Sequence, residues 1–147
     1  MPPAVALQLS ISSFINKRLL VVDDVPSNRK MLIRVLSKNG HTCEQAQDGQ
    51  VALDMFLACD PAAPYEMILM DFEMPVMNGP TATKKLREMG CACPIVGVTG
   101  NVLAADVEYF MSQGADAVLA KPLQMAALEG VWGKYTRVRS GVSEDHC

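Results

Sequence analysis

Four short apolar runs in this chain each stop at a residue able to do chemistry. Leu19-Leu20-Val21-Val22 runs into Asp23-Asp24, Met67-Ile68-Leu69-Met70 into Asp71, Ile95-Val96-Gly97-Val98 into Thr99, and Ala117-Val118-Leu119-Ala120 into Lys121. Runs that stay apolar instead of alternating read as strands covered on both faces, the usual condition of a parallel sheet. The stretches between them carry helical periodicity, and strands alternating with helices argue for βαβ units with helices on both faces of one sheet. In such a sheet, ligands bind outside the carboxyl ends of the strands. The pattern therefore gathers three carboxylates, a hydroxyl and an ammonium from four distant parts of the chain.

Punctuation places the remaining elements. Pro26 stands in the first turn of a helix with Met31, Leu32, Val35 and Leu36 on its apolar face, and Gly40 stops it. His41–Ala46 reads as a second strand, more polar and so nearer an edge. Asp48 can cap a helix carrying Val51, Ala52, Met55, Phe56 and Cys59. Asp60-Pro61-Ala62-Ala63-Pro64 is a loop, because its prolines and the residues before them resist helix. Further helices are expected from Pro80 to Met89, from Ala104 to Gln113 and from Gln124 onward, the last with Leu128, Val131, Trp132 and Tyr135 on one side.

At 147 residues, half of them hydrophobic, the chain suits one domain with one core. Residues 1–16 read as a leader or linker, 17–137 as the domain and 138–147 as a loose polar tail. The leader lacks the charged start of a secretory signal and the apolar length of a membrane helix, so no membrane insertion is expected. A net charge of −3 without a basic block gives no case for direct nucleic-acid binding. The five cysteines are odd in number and lack Cys-x-x-Cys spacing, which argues against a disulfide framework or structural zinc. Cys91-Ala-Cys93 reads as reduced cysteines at a helix–strand junction, and the compartment as reducing, intracellular and cytoplasmic. His41 and His146 read as solvent or loop residues.

Taken in order and spacing, Val21-Val22-Asp23-Asp24, Met70-Asp71-Phe72-Glu73-Met74-Pro75-Val76-Met77-Asn78-Gly79, Val98-Thr99-Gly100 and Ala120-Lys121-Pro122 resemble the response-regulator receiver family of two-component signalling. The resemblance runs from about Lys17 to Arg137, and the phrase after Asp71 looks especially like receivers of hybrid histidine kinases. It implies a flavodoxin-like, doubly wound, five-stranded parallel sheet of order 2-1-3-4-5 with five helices. It also implies a phospho-accepting role in a phosphorelay, with Asp71 as acceptor and Thr99 and Lys121 as the other catalytic groups. Asp23, Asp24, Asp71 and the backbone carbonyl of Glu73 would form the Mg2+ site, and Lys121-Pro122 would be a cis peptide. The implied partner is a histidine kinase or a histidine phosphotransfer protein, docking near the first helix and the rim of the site.

Physical reasoning agrees with that expectation. Two unit charges about 5 Å apart repel by roughly 3 kcal/mol at an effective dielectric near 20, so three carboxylates on one rim call for a cation. A few oxygen ligands suit Mg2+, which keeps several waters and bridges carboxylates to phosphate. Gly100 leaves space beside Thr99, and the resemblance implies that Glu73 and Asn101, at positions flanking the route of the attacking water in the family, tune the lifetime of a phosphorylated Asp71. One departure stands out: the position three before the lysine, often Tyr or Phe in the family, is Val118.

Two other readings compete. A pseudo-receiver that binds partners without phosphotransfer would be expected to have lost part of the constellation, which is intact here. An aspartyl-phosphate phosphatase of the haloacid-dehalogenase kind would need Asp-x-Asp after the first strand, where Asp23-Asp24-Val25 stands. Whether the domain works alone or within a hybrid kinase, and whether it dimerises, is left open by the sequence.

Overall fold

The computed structural model describes residues 14–145, with side chains described through Arg137. Elements follow in the order β1 (Arg18–Val22), α1 (Pro26–Lys38), β2 (Thr42–Ala46), α2 (Gly49–Ala58), β3 (Met67–Asp71), α3 (Gly79–Glu88), β4 (Ile95–Thr99), α4 (Ala104–Ser112), β5 (Ala117–Ala120) and α5 (Met125–Asp145). The strands form one sheet of order β2-β1-β3-β4-β5, and every pairing is parallel. This is the doubly wound arrangement expected from the alternating pattern.

Strand periodicity divides the core in two. Leu20, Val22, Ile68, Met70 and Ile95 point to one face, where they pack with Ala52 and Leu53 of α2, Ala82 and Leu86 of α3, and Phe110 of α4. Leu19, Val21, Met67, Leu69, Val96 and Val98 point to the other, against Leu36 of α1 and Leu128 and Trp132 of α5. Neighbours in a strand face opposite sides. β1, β3 and β4 therefore need apolar residues at every position, which is why they read as unbroken runs. Each large aliphatic side chain so buried contributes about 1.5–3 kcal/mol relative to exposure. That fixes the central strands, and through them the residues at their ends.

Caps set where helices start. Asp48 accepts a hydrogen bond from the Val51 amide at 2.9 Å and opens α2, as its sequence position suggested. Asn78 does the same for α3 through the Thr81 amide at 2.9 Å. α1 has no side-chain cap and relies on Pro26, whose ring presets the helical φ.

Two expectations are revised. Met31 and Val35 are exposed, Met31 by 67 %, so the apolar face of α1 is only partly turned to the core. His41 is buried: its Nδ1 accepts a hydrogen bond from the Lys17 amide at 3.1 Å, and its ring lies 4.3 Å from that of Phe14. Phe14 is itself buried, its ring centroid 5.6 Å from that of Trp132. The last helix runs from Met125 through Asp145. Residues 1–13, His146 and Cys147, with the expectations placed on them, lie outside the described residues.

His41 has a consequence for stability. Burial first, then the nearby Lys17 charge, hold it below its ordinary value of 6.5, with Glu129 and Glu66 partly opposing. The unfolded chain therefore takes up a proton near pH 6.5 that the folded chain takes up only at lower pH. Stability falls as pH drops through that window and levels off below the folded value. Denaturation profiles across it are expected to slope for the wild type and to flatten for His41→Gln.

Candidate functional site

Three strand ends converge because β1, β3 and β4 are neighbours in register. Val22 pairs with Met70, and Asp71 pairs with Val98, so the residues just beyond these pairs leave the sheet together. β5 adds Lys121 one residue after Ala120, which pairs with Thr99. The sequence-predicted residues Asp23, Asp24, Asp71, Thr99 and Lys121 thus share one end of the sheet. Asp24, Asp71, Glu73, Thr99, Gly100 and Lys121 line a common open cavity of about 550 Å3 there.

Charge is unevenly shared. Lys121 Nζ lies 2.7 Å from Asp71 Oδ1 and 3.4 Å from Asp23 Oδ2. One carboxylate oxygen from each of Asp23, Asp24 and Asp71 falls within 4.8 Å of the others. Burial raises the Asp71 carboxyl above its ordinary value; the Lys121 hydrogen bond opposes this, while Asp23 and Asp24 add to the rise. Burial disfavours the Lys121 ammonium, yet the hydrogen bond and charge of Asp71, with Asp23, outweigh it and hold the lysine above its ordinary value. A single ammonium faces three carboxylates, and Asp24 makes no ion pair among the described residues. The donor set is all oxygen and short of positive charge, which fits a small, hard divalent cation.

Local geometry sets the rest. Asp23 Oδ1 accepts from the Val25 amide at 2.9 Å, and Arg29 donates to the Asp23 carbonyl at 2.7 Å. These bonds aim the first acidic residue while leaving Asp24 unconstrained by either. Thr99 Oγ1 accepts from the Asn101 amide and donates to the Asn101 carbonyl, both at 3.2 Å, so it faces its own loop and does not cap α4. A methyl group at Gly100 would meet nothing within 4 Å, in keeping with free space beside Thr99. The peptide bond between Lys121 and Pro122 is cis, as the resemblance implied.

The β3–α3 connection depends on glycine. The Gly79 amide donates to the Phe72 carbonyl at 2.8 Å, and a Cβ there would stand 2.0 Å from the Asp71 carbonyl oxygen. Only glycine lets the start of α3 press so closely on the backbone of Asp71. Glu73 is exposed and lines the cavity beside Asp24 and Asp71. Asp106, in the first turn of α4, also lines it, a placement that sequence reasoning missed. No strand-end signal marks it, because it reaches the site from a helix.

Comparison with known proteins gives a consistent result. Residues 19–131 match the family described as response regulator receiver domain. The rice (Oryza sativa subsp. japonica) two-component response regulator ORR41 is 39 % identical over 120 residues, covering 80 % of this chain and 93 % of that one. The sensor histidine kinase RcsC of Salmonella typhi is 37 % identical over 122 residues, which is 82 % of this chain but only 12 % of the kinase. The receiver domain of the Arabidopsis thaliana histidine kinase CKI1, solved with Mg2+, superposes with a TM-score of 0.69 at 31 % identity, covering 79 % of this chain and 91 % of that one. The chemotaxis protein CheY4 of Vibrio cholerae superposes with a TM-score of 0.68 at 27 % identity, covering 83 % and 97 %.

Proposed function

This chain belongs to the response-regulator receiver family of phosphorelay signalling, and from that membership we propose that Asp71 is its phosphoryl acceptor and that it promotes its own phosphorylation. The observation that carries the assignment is the buried Asp71 carboxylate, in contact with Lys121 and clustered with Asp23 and Asp24 at the open end of the sheet.

Asp71 Oδ attacks phosphorus, a P–O bond forms, and the P–N bond to the donor histidine breaks. Phosphoryl transfer depends mainly on positioning and charge stabilisation. Lys121, already 2.7 Å from Asp71, is placed to hydrogen-bond a transferred oxygen. The Thr99 hydroxyl must exchange its bonds within the Asn101 loop for one to the phosphoryl group. Asp23, Asp24, Asp71 and the carbonyl of Glu73 are the residues that would hold Mg2+. When bound, the ion supplies the charge that the three carboxylates lack and neutralises charge on the transferred group.

The test is intact mass after incubation with acetyl phosphate. Wild-type protein is expected to gain one phosphoryl group with Mg2+ and none after chelation. No gain under either condition would point instead to a pseudo-receiver that works by binding alone.

For the donor, we propose docking on α1. Met31, Leu32 and Val35 border a cavity of about 290 Å3 with Val21, Lys121 and Leu123, beside the phosphorylation rim. Exposed Met31 and Val25 continue the apolar surface. A histidine kinase or histidine phosphotransfer protein that covers this face would bring its phosphohistidine to Asp71. Met31→Asp is expected to slow transfer from such a donor by about tenfold or more, the cost of an interface anchor of roughly 1.4 kcal/mol or greater. Uptake from acetyl phosphate should be unaffected, and equal slowing of both would remove α1 as the docking face.

A further inference from the structure

At the opposite end of β4 from Thr99, the chain carries a second cluster of chemically active side chains. Cys91 and Cys93 precede the strand, and their Sγ atoms lie 3.6 Å apart in hydrogen-bond contact. All four described cysteines are free thiols. The pair borders a cavity of about 370 Å3 with Phe56, Cys59, Pro64 and Tyr65, and Cys91 also lines a second, larger cavity under α5. Small solutes can therefore reach a thiol that is otherwise buried.

We propose that Cys91 and Cys93 form a peroxide-responsive dithiol that closes reversibly to a disulfide. The two thiols are set apart from the other described cysteines by their surroundings. Cys59 turns its thiol to the Ala63 carbonyl at 3.4 Å. Cys43 packs in the core on the other face of the sheet.

Arg87 organises the pair. Its guanidinium donates to the carbonyls of Cys91 at 3.0 Å and Cys93 at 2.7 Å, and also to Gly114 and Asp116. This bridge fixes the backbone of the dithiol and sets a positive charge beside it. The hydrogen bond from the Cys93 thiol lowers Cys91 to about 7 against the effect of burial, with a Cys93 backbone hydrogen bond and Arg87 assisting. The same sharing of a proton, and burial, push Cys93 up. Cys91 is then the nucleophile and Cys93 the resolving thiol, a division typical of redox-sensing pairs.

The chemistry balances with hydrogen peroxide as oxidant. The Cys91 thiolate attacks one peroxide oxygen: an S–O bond forms, the O–O bond breaks, and the departing hydroxide takes the proton Cys91 gave up, leaving as water. Cys93 then attacks the Cys91 sulfenic sulfur: the S–S bond forms, the S–O bond breaks, and hydroxide leaves with the Cys93 proton as a second water. Two thiols are oxidised by one peroxide, and the sulfurs close from 3.6 Å to about 2.05 Å.

Reduced protein titrated with hydrogen peroxide at neutral pH is expected to lose two hydrogens by intact mass. Peptide mapping should place the link between Cys91 and Cys93, and dithiothreitol should reverse it. Cys93→Ser should stop at one added oxygen on Cys91, trapped by dimedone, and Cys91→Ser should slow oxidation of Cys93 at least tenfold. Mapping of the link to any other cysteine, or equal oxidation of Cys93 without Cys91, would overturn the proposal. Acetyl phosphate uptake measured on the same samples keeps this independent of the assignment of Asp71, because the dithiol and the acceptor occupy opposite ends of the sheet.

Discussion

Asp71→Asn is expected to take up no phosphoryl group from acetyl phosphate and Mg2+, where wild-type protein takes up one. Asparagine matches aspartate in shape but offers a neutral amide oxygen in place of the carboxylate nucleophile. The neighbouring acids should not take over. Asp23 is held by the Val25 amide and by Lys121, and it leaves the sheet from β1 rather than β3. Lys121, relieved of its 2.7 Å partner, keeps Asp23 within 3.4 Å, so the rim should stay ordered. Intact mass measures the uptake, and a cooperative denaturation curve shows that the variant is folded. Wild-type uptake in the folded variant would move the acceptor to Asp23 or Asp24 and remove the mechanism proposed for Asp71.

Phe110→Ala is expected to cost about 3–5 kcal/mol of stability, read by chemical denaturation. Phe110 reaches from α4 into the core and is wholly buried. A Cβ on Gly97 would lie 2.6 Å from its ring, and Phe72 meets it edge-on at a centroid distance of 5.4 Å. Gly97 and Phe110 are thus complementary, since the missing side chain on β4 makes room for the ring. Gly97→Ala alone should overpack this contact and cost about 1–3 kcal/mol. In the Phe110→Ala background the added methyl should cost much less, a coupling that a double-mutant cycle isolates. A loss below about 1 kcal/mol for Phe110→Ala would show that α4 collapses readily into the vacated space.

This packing bears on the residue that departs from the family pattern. Val118, where an aromatic often stands, pairs with Gly97 across β4 and β5 and packs against the same core as Phe110. The ring that packs against Gly97 belongs to α4. Gly97 and Phe110 are thirteen positions apart in different elements, and no periodicity links them.

The carboxyl end of the sheet was legible because each strand announces itself. A strand buried on both faces must be apolar throughout, so the first polar residue after it marks the sheet edge, and Asp23, Asp71, Thr99 and Lys121 all sit there. Helix starts were legible where one side chain caps locally, as Asp48 does. Burial of individual side chains on half-covered elements was not. His41 looked like a loop residue because its partners, Phe14 and the Lys17 amide, are more than twenty positions away. Met31 and Val35 looked like core because helical periodicity identifies an apolar face without saying what covers it. The sequence alone determined the order of elements, the sheet and the group of residues at its carboxyl end, since these follow from short-range pattern and from the rule that strands deliver their ends together. Only the tertiary structure decided which carboxylates Lys121 pairs with, which ring fills the space at Gly97 and how closely the two thiols of Cys91 and Cys93 approach. Those depend on distances between side chains from separate elements, fixed only when the whole core packs.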